Sequence, residues 1–112
     1  MKKEDLIAIN NTRAKMINQF FLREKIDLSH LILLSEIYLR KNENIKLPNI
    51  SWIESELKVT FTKVKSLVES LERREFIFKI PDPDDKRGKL LDITDSGINF
   101  IIGIANALPL TK

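Results

Sequence analysis

The stretch Pro81-Asp82-Pro83-Asp84-Asp85-Lys86-Arg87-Gly88 constrains this chain more than any other. Proline fixes φ, and aspartate and glycine favour turns, so the stretch reads as a turn-rich loop. Glu75 to Ile80 alternates imperfectly before it, and Lys89 to Ile93 returns after it. Together they make a β-hairpin with a charged tip. A lone hairpin is marginal in water and has to lean on other elements. The rest of the chain offers helices for it to lean on.

Residues 3–24 carry Leu6, Ile9, Met16 and Phe20 at helical spacing, with Ile7, Ile17 and Phe21 widening the stripe. Asp27 is an N-cap for a second helix over 28–41, whose Leu28, Leu31, Ile32, Leu33, Leu34, Ile37, Tyr38 and Leu39 make it apolar on most sides and therefore central. Arg40 to Asn44 reads as a polar connector. Ile45 to Ile50 reads as a short strand, held to an edge by Pro48. Ser51-Trp52-Ile53-Glu54 has the capping-box pattern, so a short helix should start at Ser51 and run to Leu57. Lys58-Val59-Thr60 is a tight connection, and Thr60 caps a longer helix over 61–74. Phe61, Val64, Leu67, Val68 and Leu71 share one face of that helix, and Thr62, Lys65, Ser66 and Glu69 share the other. Thr94 or Asp95 caps a last helix, ended by Pro109.

The composition, 43% hydrophobic and 31% charged over 112 residues, is that of a single globular domain spanning 1–112. Element order from residue 28 gives its class: α+β, mainly α, a winged helix-turn-helix. The helix-turn-helix occupies 51–74 and the wing 76–93, with flanking helices at 3–24 and 95–108.

With no cysteine, the chain has no disulfide scaffold, thiol redox centre or thiolate zinc site. No apolar run approaches the ~18 residues that span a bilayer, and no signal-peptide pattern opens the chain. A cytoplasmic protein without a membrane partner is expected. Glu54 and Glu56, two apart on a helix, do not face each other as a catalytic pair. Asp82, Asp84 and Asp85 lack the glycine and distal glutamate of a calcium loop. His30, the only histidine, has no ligand companion and reads as a first-turn surface residue, while Trp52 should be partly buried. Neither an enzyme, nor a cofactor, nor a metal site is expected, and no small-molecule effector can be named.

The charge distribution points to nucleic acid. Residues 58–89 hold nine basic and six acidic side chains, which accounts for the whole net charge of +3. A surplus confined to one segment suits a phosphate-facing surface. In a helix-turn-helix the N-terminal turns of the second helix enter the major groove. Thr60, Thr62, Lys63, Lys65 and Ser66 supply donors there, and Lys79, Lys86, Arg87 and Lys89 supply basic groups on the wing. The expected partner is double-stranded DNA.

Asp82 to Gly97 resembles the wing signature of MarR-family repressors, in which an Asp-x-Arg tip is followed by a strand and then Leu/Ile-Thr-x-x-Gly. Asp85 and Arg87 match the tip, and Ile93, Thr94 and Gly97 match the end. The small size and short terminal helices are more similar to the SarA branch, the staphylococcal accessory regulators. The likeness extends from about Ile26 to Gly97. It implies transcription regulation by a two-fold dimer, with Arg87 in the minor groove and Asp85 positioning it. Many relatives have a basic residue where the first wing strand ends, and this chain has Pro81.

The last helix supports a dimer independently. Eight of the eleven residues from Ile98 to Leu108 are apolar, more than one buried face holds. Leu6, Ile9, Ile98, Ile101, Ile102, Ala105 and Leu108 are the candidate interface residues. A winged-helix module of a plasmid replication, partition or protein-interaction complex is the alternative function.

Overall fold

The computed structural model describes residues 1–107. The order is α1 (Lys3–Glu24), α2 (Leu28–Asn42), α3 (Ile50–Leu57), α4 (Phe61–Arg73), β1 (Ile77–Asp82), β2 (Asp85–Ile93) and α5 (Asp95–Ala107). The architecture is mainly helical α+β with one antiparallel two-stranded wing. The first wing strand starts and ends two residues later than expected, the second starts four residues earlier, and only Pro83 and Asp84 separate them, so the loop expected over Pro81 to Gly88 is largely strand. Pro81 fits inside β1 because that strand has a single partner and a free edge. Leu108, named as an interface residue, and Pro109, named as a helix stop, lie outside the described residues.

Two local expectations are corrected. Ile45 to Ile50 does not form a strand: it is an irregular connector that runs into α3. The Pro48 carbonyl accepts the Leu91 N–H at 2.9 Å. Proline has no N–H to return, so pairing with β2 stops at that bond. The Ser51 capping box is also absent. Asn49 caps α3 instead, its side chain accepting the Trp52 N–H at 2.8 Å. Asparagine caps as well as serine, and capping from Asn49 lets the helix take in Ile50 and Ser51.

The other caps fall where the sequence puts them. The Asp27 side chain accepts the Ser29 N–H at 2.9 Å, Thr60 accepts Lys63 N–H at 3.2 Å, and Thr94 accepts Gly97 N–H at 3.0 Å. Helix C-termini are closed without glycine. Lys25, Lys58 and Glu75 take φ of 56°, 53° and 60°, the left-handed region that usually favours glycine. At α4 the bonds Glu75 N–H to Glu72 O (2.9 Å) and Phe76 N–H to Leu71 O (3.0 Å) satisfy the last carbonyls and turn the chain into the wing.

Leu33, Leu34 and Ile37 of α2 lie at the centre of the main core, against Ile53, Val64, Leu67, Val68, Leu71, Ile77, Leu91 and Ile93. A smaller cluster forms around Ile26 and Ile104, with Ile17, Phe20, Phe21, Leu31 and Phe100 against it. Only the C-terminal third of α1 joins that cluster. Residues 1–12 are exposed throughout, and the described chain measures 57 × 28 × 23 Å.

His30 corrects a further expectation. It is only 8% exposed, not a surface residue, because its ring reaches α4, where Nε2 lies 3.4 Å from Ser70 Oγ. Nδ1 faces the Asp27 N–H at 3.2 Å and the Asp27 carboxylate at 3.1 Å, the place a glutamate takes in a capping box. Burial depresses the ring's pKa below 6.5; Asp27 opposes this, and Arg74 and Lys63 add to it. Partial burial raises Asp27, but hydrogen bonds with His30 and Lys63 outweigh it and hold the carboxyl below its ordinary value. In both cases the unfolded chain binds protons first, so stability falls as pH falls. The His30 contribution is fully present above pH 6.5 and is lost on acidification through the folded pKa. We expect the denaturant midpoint to drop between pH 7.5 and 5 and to drop less in His30→Gln. Equal pH slopes in the two proteins would contradict this account.

Candidate nucleic-acid interface

The first exposed surface is the N-terminal half of α4. Val64, Leu67, Val68 and Leu71 are buried, which turns Thr62, Lys65, Ser66 and Glu69 to solvent, as their spacing requires. Thr60 is exposed, with its hydroxyl engaged as the cap. Lys63 is exposed but reaches back to α2, its Nζ 3.2 Å from Asp27 Oδ2. Phe61 departs from the sequence reading. It was assigned to the apolar face but is 58% exposed. Its angular position flanks the buried stripe rather than lying within it.

The second surface is the wing. Pairing runs from Ile77↔Ile93 to Pro81↔Lys89 and then shifts, so that Asp82 faces Asp85. Lys86, Arg87 and Gly88 therefore bulge out of register at the tip. The Asp85 carboxylate accepts the Arg87 backbone N–H at 3.0 Å. Gly88 makes room for that carboxylate, since a Cβ there would lie 3.0 Å from Asp85 Oδ2. Asp85, Lys86, Arg87 and Lys89 are all exposed. Among the described residues Lys65, Lys86, Arg87 and Lys89 make no ion pair, whereas Lys79 lies 3.6 Å from Glu72 of α4.

The wing is also strapped to the connector before α3, by residues that sequence reading missed. Lys46 Nζ lies 3.2 Å from the buried Asp82 carboxylate and 2.9 Å from Asp84. The Asp84 N–H donates to Asp82 at 2.9 Å. That backbone bond, with Lys46, holds the Asp82 carboxyl below its usual range despite desolvation, and the two carboxylates raise Lys46 in turn. Lys41 Nζ pairs with Asp92 of β2 at 3.0 Å. No local pattern joins residues 38 or 51 positions apart.

At the base of the wing, Thr94 Oγ1 donates to Glu75 O at 2.6 Å, and its backbone N–H donates to Phe76 O at 2.9 Å. Gly97 sits under that same Phe76 carbonyl. Phe76 and Phe100 stack at 4.6 Å. These contacts fix how the hairpin leaves α4 and enters α5.

Comparison with solved structures decides the fold type. The chain is similar to S. aureus MepR in complex with DNA, at TM-score 0.72 and 23% identity, covering 89% of this chain and 72% of that one. The fold is the MarR-type winged helix. A MepR mutant bound to an oligodeoxyribonucleotide is similar at TM-score 0.77 and 21% identity, covering 95% of this chain and 75% of that one. E. coli wild-type MarR in its apo form is similar at TM-score 0.71 and 17% identity, covering 98% of this chain and 78% of that one. No family model and no curated protein matches the sequence. In this MarR-type frame β1 and β2 are the wing hairpin. No described helix is long and apolar enough to cross a membrane.

Proposed function

We propose that this chain is a sequence-specific double-stranded DNA-binding transcription regulator that acts as a homodimer in the cytoplasm, without catalytic activity. One observation carries the reading. Two elements of a MarR-type fold, the first turns of α4 and the out-of-register wing tip, present Thr62, Lys65, Ser66, Lys86, Arg87 and Lys89 to solvent, and the four basic groups among these make no ion pair among the described residues. On this reading Thr62, Lys65 and Ser66 meet base edges in the major groove. Thr60, Lys63, Lys79, Lys86 and Lys89 serve phosphates, with Lys63 and Lys79 exchanging their present carboxylate partners for DNA. Arg87 enters the minor groove, and Asp85 shapes the backbone beneath it. The Asp85-x-Arg87 tip and the Ile93-Thr94-x-x-Gly97 end, which resemble the MarR-family wing signature, favour a regulator of that family. The DNA-bound states of MepR and MarR relatives support this transfer.

The exposed length of α1 supports the dimer. Its 22 residues extend about 33 Å, and none is buried. Leu6 is 52% exposed and Ile9 37% exposed, with Met16 further along the helix. On α5, Ile102 and Ala105 are exposed, while Ile98 and Ile101 are half-buried against the core of their own chain. We place Leu6, Ile9, Ile102 and Ala105 at the centre of the dimer contact and Ile98 and Ile101 at its edge.

Selection from a random-sequence duplex pool tests DNA binding: a shared motif is expected, and retention of no sequence above background would overturn the reading. Sedimentation at micromolar concentration is expected to give a dimer, and Leu6→Glu a monomer. A monomeric wild type would remove the interface.

A further inference from the structure

We propose that Phe61 is a specificity-determining residue that reads the 5-methyl group of thymine in the major groove; the inference rests on the DNA-binding role of α4 proposed above. Phe61 opens α4 and is 58% exposed, whereas Val64, Leu67, Val68 and Leu71 of the same helix are at most 2% exposed. The core is complete without this ring, so packing does not explain a large apolar side chain here. Its position has a consequence for recognition. It stands beside Thr62 in the first turn and one turn before Lys65, on the end of the helix that a helix-turn-helix inserts in the groove. Base edges there present donors and acceptors with one apolar exception, the thymine C5-methyl. Thr62, Lys65 and Ser66 can satisfy the polar groups, and Phe61 offers a far larger exposed apolar surface for a methyl than the single γ-methyl of Thr62. Contact removes both apolar surfaces from water, which is favourable by the area buried.

The test uses the duplex that the wild-type protein selects from a random pool, with each thymine replaced singly by deoxyuridine. At one or two positions in each half-site the lost methyl should weaken wild-type binding roughly fourfold. Phe61→Ala should bind the thymine duplex more weakly and bind the thymine and uracil versions of those positions equally. Its denaturation midpoint should match the wild type, because the ring is outside the core. Wild-type binding indifferent to every replacement would overturn the inference. So would a Phe61→Ala protein that still prefers thymine at those positions. If the wild type selects no duplex, the DNA-binding reading itself falls and this inference with it; if it selects one and only the uracil comparison fails, the DNA-binding reading stands.

Discussion

Arg87→Ala is expected to weaken binding to the selected duplex at least tenfold, more than about 1.4 kcal/mol, while leaving the fold intact. The side chain is exposed in the bulge of β2, and no carboxylate pairs with it among the described residues. Its removal therefore leaves no buried group unsatisfied, and the denaturation midpoint should stay where it is. The binding loss should be large for two reasons. A guanidinium is always charged, and its planar shape fits a narrow minor groove. The ground beneath it is also rigid. Asp85 holds the Arg87 N–H at 3.0 Å, and Lys46 anchors the turn through Asp82 and Asp84, so little ordering remains to be done on binding. Arg87→Lys should recover only part of the loss, since lysine keeps the charge but not the plane. Titration by gel shift or anisotropy at fixed salt measures all three proteins. Unchanged affinity for Arg87→Ala would remove the wing from the recognition surface.

Gly97→Ala should lower stability by about 1–3 kcal/mol, the usual range for overpacking a filled site. A Cβ at Gly97 would stand 2.5 Å from the Phe76 carbonyl oxygen and 2.8 Å from Ile93 Cγ1. The first contact is with backbone, which cannot swing aside as a side chain does. That backbone is also pinned by the Thr94 N–H at 2.9 Å. Relief would have to come from moving α5 away from the wing base, opening the Phe76–Phe100 stack. Gly103 provides an internal control: it is on the same helix, and a Cβ there meets nothing within 4 Å. Gly103→Ala should be neutral or slightly stabilising, since alanine favours helix. Urea denaturation of both variants checks the pair, and a Gly97→Ala midpoint equal to that of Gly103→Ala would refute the close-approach argument.

The glycine also shows what kind of information the sequence held. The Thr-x-x-Gly spacing was visible as resemblance, but its reason, the Phe76 carbonyl that approaches Gly97 from 21 residues upstream, exists only in three dimensions. The same division runs through the site. Thr62, Lys65 and Ser66 were legible because burial of Val64, Leu67, Val68 and Leu71 leaves a helix no other way to face. Phe61 was misplaced because a periodic stripe says nothing about where the core stops. Lys63 looked free in sequence and is paired with Asp27 in the fold. Asn49 displaced Ser51 as the cap because caps of similar strength compete and the tertiary start of the helix chooses between them.

A hairpin with a charged tip and the helices before it follow from the sequence alone, although the loop expected over Pro81 to Gly88 shrinks to Pro83 and Asp84 in the fold. They depend on φ preferences, caps and periodicity, which act between residues a few positions apart. The burial of His30 under Ser70, the straps from Lys41 and Lys46 to the wing, the bulge that carries Arg87 and the uncovered length of α1 were decided by the tertiary structure. Each depends on which distant surfaces meet, and so on the packing of the whole core rather than on any local rule.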